Sequence, residues 1–266
     1  MKRLKQIFTQ AGWLWAMIRR PYLILCVLFA AQQALVLLLL AGSAANVGLI
    51  YPQLYYMGGQ WFVFGFAYLA AGVISALPLF WANGKTKAGY TLLALPQPRW
   101  QLLAAQALLC LALQLGVLAL GILLMAVTYF PVAAISARVA LATVDLPGTT
   151  LGLYRSFIYN ELARTLLPTR PRAALALVAG LAAAAAAIPC ALVHKGTAKR
   201  IVAVLFSLAT IGCAAGMVML ERLDFLAQYE KNWVPAAFAG LVAATTVLLL
   251  IDWLWATRAL RRAELV

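Results

Sequence analysis

Residues Leu102–Val127 read LLAAQALLCLALQLGVLALGILLMAV, 26 residues without a charge. As a helix this stretch is about 39 Å long, more than the ~30 Å hydrocarbon core of a bilayer. Five further windows have the same character: Tyr22 to Gly42, Trp61 to Trp81, Ala173 to Val193, Ile201 to Leu220 and Trp233 to Ala256. Asp252, near the end of the last window, is the only charged residue in any of the six. The whole 266-residue chain is 65% apolar and 11% charged, with a mean hydropathy of +0.93. That composition excludes an ordinary soluble enzyme, a disordered chain and a coiled coil. The expected fold is all-α, a single polytopic transmembrane domain over residues 1–266 with six transmembrane helices.

The net charge of +14 sits beside the apolar runs, so it speaks for orientation in a bilayer and not for nucleic acid. With the N-terminus in the cytoplasm, cytoplasmic segments hold 14 of the 21 Lys and Arg, and five of the seven acids fall outside. The positive-inside rule then places both termini in the cytoplasm, in a multi-pass protein of the cytoplasmic (inner) membrane. Residues 1–20 carry Leu4, Ile7, Phe8, Ala11, Leu14, Trp15 and Ile18 at helical spacing. The expectation is an amphipathic helix lying at the interface, ended by Pro21.

One rival topology has Pro131 to Thr150 as a further crossing, which inverts the last three spans and leaves the basic count unchanged. Arg138, Asp145 and Pro147-Gly148 oppose it, because lipid-facing spans tolerate such residues poorly. Val132, Ile135, Val139, Ala142 and Leu146 have amphipathic spacing instead. The segment 128–172 is therefore expected to be an extracytoplasmic loop with short helices. A second stripe, Leu151, Tyr154, Ile158, Leu162 and Leu166, ends at Pro168 and makes a lid over the outer mouth or an element resting at the interface.

Few residues have the pattern of a catalyst. Cys26, Cys110, Cys190 and Cys213 lie in the windows at no metal-like spacing, and His194 is the single histidine. No nucleophile elbow, HExxH or phosphate-binding glycine loop is present in the sequence, each of which requires a set of residues at fixed spacing. The expectations are no catalytic residue, no metal ligand and no cofactor in this chain. Asp252 reads as an interfacial anchor paired with Arg258. Gln32, Gln33, Gln106 and Gln114 serve either as interhelical hydrogen-bonding groups or as a candidate substrate path. Gln106 and Gln114 are eight apart and so share a helix face. The run Ala182 to Ala187, and Gly212, Ala214, Ala215 and Gly216, permit close helix packing.

Between the second and third windows, Asn83-Gly84 ends a helix, and Pro96 and Pro98 bound a short one over Thr86 to Leu95. Tyr90, Leu93 and Leu95 are among its apolar positions, with Lys85 and Lys87 beside them. This segment runs Thr91-Leu92-Leu93-Ala94-Leu95-Pro96-Gln97-Pro98-Arg99. It resembles the cytoplasmic segment of the membrane permease subunit of ABC-2 type transporters, which commonly reads Thr, Leu-Leu, then Leu-Pro-x-x-Arg leading into the third span. The six windows and the basic N-terminal segment are similar to that family as well. Two features differ: Lys85 and Lys87 stand where members often carry an acid, and Glu221 to Asn232 is short for a re-entrant hairpin.

The resemblance implies the transmembrane subunit of an ATP-driven exporter for a peptide, drug or lipid-like amphiphile. It implies an ABC ATPase subunit as partner, with ATP and Mg bound there and none in this chain, and a dimer with itself or a homologous permease. Under it, coupling to the ATPase falls to Lys85, Thr86, Lys87, Tyr90, Leu93, Leu95 and Arg99, with His194 and Lys195 in the loop to Arg200. The chain itself is expected not to be an enzyme. The alternatives are an accessory or assembly subunit without its own transport path and, less well supported, an intramembrane enzyme.

Overall fold

The computed structural model describes residues 2–46, 49–82, 99–144, 152–168, 170–192, 194, 197–227 and 234–262. Every regular element among them is helical. In chain order they are α1 (Lys2–Ala41), a 3-10 turn (Ala44–Asn46), α2 (Tyr51–Met57), α3 (Gln60–Ala82), α4 (Arg99–Val144), α5 (Leu153–Tyr159), α6 (Glu161–Leu166), α7 (Pro171–Leu192), α8 (Thr197–Ala227) and α9 (Val234–Arg262). Six of these are long and apolar enough to cross a membrane: Leu4–Ala41, Gln60–Pro78, Trp100–Ala142, Pro171–Ala191, Thr197–Leu220 and Val234–Ala259. Large apolar side chains stand exposed on them, such as Val27, Leu35, Phe62, Phe66, Leu208 and Leu250. A soluble surface does not display apolar groups on this scale, whereas lipid covers them. The protein is an all-α polytopic membrane protein.

Two expectations about helix extent are corrected. Pro21 does not end the first helix; it lies inside the 40-residue α1. Pro131 likewise lies inside the 46-residue α4, so 132–144 continue that helix and form no separate one. A proline removes one backbone hydrogen bond and crowds the turn before it. Packing on both sides holds the helix through that defect. Around Pro21, Leu14 and Ile18 are fully buried, the Tyr22 hydroxyl donates to the Leu113 carbonyl at 3.0 Å, and the Trp15 and Tyr22 rings meet edge to face at 5.7 Å. Near Pro131, Thr128, Tyr129 and Val132 are all buried.

The chain forms two compact units. The first takes residues 1–22, 69–114 and 170–266. Within it α7, α8 and α9 pack together around Ala176, Ala183, Ala214, Met217 and Phe238. The alanine run of α7 acts as expected: Ala183, Ala184, Ala185 and Ala187 are buried, and their small side chains let helices approach. The second unit takes residues 23–68 and 115–169. Here a Cβ at Gly121 would come within 3.3 Å of the Phe64 ring, so glycine makes room for that ring. Phe29 packs on Phe64 with ring centroids 6.4 Å apart. Gly59 takes a left-handed φ of +63° in the turn between α2 and α3, a conformation open to glycine at little cost.

The stripe 151–166 is also corrected. Asn160 divides it: its Oδ1 accepts from the backbone N–H of Leu162 at 3.0 Å and of Ala163 at 3.3 Å, capping α6 and ending α5. Leu162 and Leu166 are buried, but Tyr154 is 78% exposed and Ile158 42% exposed. The cap satisfies two orphan N–H groups, which outweighs continuing one apolar stripe.

Candidate functional site

In the first unit, α4 carries Gln106, Cys110 and Gln114 four residues apart, on one face. All three are 0% exposed. Across from them, the Cys110 thiol points at the Ala184 carbonyl of α7 at 4.0 Å, and Ser75 of α3 lies against Cys110. Ser75 Oγ donates to the Gly72 carbonyl at 2.6 Å. A Cβ on Gly72 would collide with the end of the Ile188 side chain and come within 3.2 Å of Gln114 Nε2. Gly72 leaves room there for the end of the Ile188 side chain and for the Gln114 amide.

Neither the nitrogen nor the oxygen of the Gln106 and Gln114 amides has a partner among the described residues. Each amide offers two N–H donors and a carbonyl acceptor. A buried polar group left unpaired costs about 1–3 kcal/mol. A helix contact selected only for packing has no use for that cost. Gln101, also buried, adds a further carbonyl oxygen without a partner among the described residues. The set can exchange hydrogen bonds with water, a hydroxyl or an amide; it contains no acid or base.

The second unit has its own buried amides. Gln33 is fully buried, and its Nε2 donates to the Tyr55 hydroxyl. Gln60 is buried with both amide atoms unpartnered among the described residues. Of the adjacent pair Gln32 and Gln33, Gln33 is the inward one and Gln32 is half-buried. Nearby, the Tyr51 hydroxyl donates to the Met125 carbonyl at 3.0 Å and lies 2.9 Å from Thr128 Oγ1. Burial pushes the Tyr51 phenol up to about 12, with Thr128 opposing. Burial first, then Tyr51, pushes Tyr55 higher still. Both phenols therefore stay neutral and act as hydrogen-bonding groups, not as bases.

The residues assigned to ATPase coupling are placed unevenly. Lys85, Thr86, Lys87, Tyr90, Leu93, Leu95 and Lys195 lie outside the described residues. Arg99 opens α4. His194 is 2% exposed, buried beyond what an interfacial residue requires. Its ring lies 4.3 Å from that of Trp255, and its carbonyl accepts from Arg200 Nε at 3.3 Å. Burial, then Lys199, lowers its pKa from the ordinary value. Asp252 corrects another expectation: its partner is Thr210 of α8, at 3.1 Å, and not Arg258. Six residues on, Arg258 stands about 240° around the helix.

Sequence reading missed Gln60 and Gln101, each one residue before an apolar window. It also missed Tyr51, Tyr55 and Thr210. Extending the windows by one helical turn brings in both glutamines. Comparison with family models, curated proteins and solved structures gives no match for this chain.

Proposed function

We propose that this chain is the transmembrane permease subunit of an ATP-driven exporter, working with partner ATPase subunits and pairing with itself or a similar permease. The observation that carries the reading is the set of buried amides without partners on α4, Gln106 and Gln114. They supply unpartnered polar groups inside a largely apolar helix bundle, which suits passage or binding of an amphiphilic solute. The Gln33 and Gln60 amides of the second unit fit the same role there.

Topology supports the reading. An even number of spans returns both termini to one side, and the basic residues make that side the cytoplasm of an inner membrane. Residues 1–22, 69–82 and 99–114 fall in one unit, in keeping with α1, α3 and α4 alternating in direction. In the proposed mechanism ATP binding closes the ATPase dimer, which pushes on Lys85 to Leu95 and on the loop from His194 to Arg200. Coupling is the difference in the ATPase dimer's affinity for two permease states. Affinity purification of the chain in mild detergent tests this. Recovery of a nucleotide-hydrolysing subunit supports the reading, and its complete absence in membranes that make the full complex contradicts it.

A further inference from the structure

Asp252 is the only acidic residue within the six candidate spans, and it is 3% exposed. Its Oδ2 lies 3.1 Å from Thr210 Oγ1. The same Thr210 oxygen lies 3.0 Å from the Phe206 carbonyl of its own helix. A threonine hydroxyl has one proton, and a backbone carbonyl has none to give. If Asp252 were ionised, the single Thr210 proton would be shared between the carboxylate and the carbonyl in a three-centre bond. Each contact has a proton of its own only when Asp252 is protonated: Asp252 Oδ2–H then donates to Thr210, and Thr210 Oγ1–H donates to Phe206.

The surroundings agree. No ion pair reaches Asp252 among the described residues, and its hydrogen-bond partner is a neutral hydroxyl. From α7 the titratable neighbour is Cys190, a thiol close enough to feel a charge on Asp252. From the α7–α8 connection comes His194, against Trp255 one turn beyond Asp252. Of the charged groups at the start of α8, Lys199 is exposed and Arg200 gives its Nε to the His194 carbonyl. On α9 itself Arg258 is exposed and points to another face. An unpaired carboxylate enclosed in this way is strongly disfavoured. The neighbouring polar groups are already in use: Ser207 Oγ donates to the Ala187 carbonyl at 2.9 Å.

We propose that Asp252 is a proton-binding site, loaded at neutral pH while α7, α8 and α9 are closed around it. Opening that bundle to water would release the proton, so the closed arrangement is linked to proton uptake. The inference does not rest on the export reading.

Infrared spectroscopy of the full chain in lipid tests it. Exposed carboxyl groups ionise near pH 4, so at neutral pH only a sheltered one retains its protonated C=O band. The expected result is such a band in the wild type, shifted in heavy water and lost in Asp252→Asn. Asparagine is close in shape, and its Nδ2–H replaces the Oδ2–H donor. Should that variant not fold, Thr210→Val, which removes the acceptor, must shift the band. A wild type without the band at neutral pH overturns the proposal. So does a band that Asp252→Asn retains or that Thr210→Val leaves in place.

Discussion

Replacing Gln106 and Gln114 together by leucine separates two roles that the structure brings to one place. Both side chains are 0% exposed, and none of their four amide atoms has a partner among the described residues. Leucine has a similar volume and removes the unpaired groups. Each unpaired amide costs about 1–3 kcal/mol, so the double variant should gain roughly 2–6 kcal/mol at most. Neighbouring sites share contacts, and the sum is therefore an upper bound. One kcal/mol shifts a melting midpoint by about 2–4 °C in a chain of 150–250 residues. The purified double variant in lipid nanodiscs should thus melt several degrees above the wild type while losing export activity in cells. That combination is the signature of groups kept for function at the expense of stability. A double variant that melts lower than the wild type would show instead that the amides hold helices together. Higher stability with unchanged export would leave the seam without a role in transport.

Three further outcomes are expected. His194 has a depressed pKa in the folded chain, so the unfolded chain takes the proton more readily; its stabilising contribution is present above the ordinary value of 6.5 and is lost as pH falls through the lowered folded value. A melting series from about pH 8 to pH 5 should show this loss, and His194→Gln should flatten it; an equal slope in both rejects the assignment. Asn160→Ala removes the α6 cap and should cost about 1 kcal/mol, read as faster amide exchange at Leu162 and Ala163, whereas unchanged exchange removes the cap from the account. In a background lacking the four native cysteines, a cysteine at Thr150 should react with an impermeant thiol reagent from outside and one at Gly196 should not; labelling of Gly196 from outside, with the C-terminus also exposed, establishes the inverted topology.

The spans were legible because an apolar run of about 20 residues has few uses other than crossing lipid. Their ends were not, because hydropathy marks the lipid-facing stretch and not the helix. Thus α1 begins about 20 residues before its apolar window, and α4 ends 17 residues after its own. Pro21 misled for a related reason: a break rule that holds for a helix in water fails where neighbours hold it, as Tyr22 does through Leu113. That Gln106 and Gln114 share one helix face followed from spacing alone. Their lack of partners did not, since it depends on what α3 and α7 bring to them. The Asp252 partner was hidden for the same reason, Thr210 being 42 residues away. Asn160 did carry a readable signal, an N-capping residue type followed directly by Glu161, but the apolar stripe on either side obscured it.

The coupling segment bears most directly on whether a partner ATPase drives this chain. Tyr90 and Leu93 are proposed to dock on that partner, and apolar anchors of this kind contribute roughly 1–3 kcal/mol each to an interface. The direct measurement is the amount of ATPase retained per chain after purification in detergent, with its hydrolysis rate, for three forms. These are the wild type, Tyr90→Ala with Leu93→Ala, and a control with Tyr154→Ala and Ile158→Ala. The control side chains are exposed, so their loss should leave the fold intact. The inner double variant should stay in the membrane at normal level but lose the ATPase or uncouple hydrolysis from export, while the outer one should match the wild type. Equal ATPase retention and equal coupling in all three forms would contradict docking through Tyr90 and Leu93.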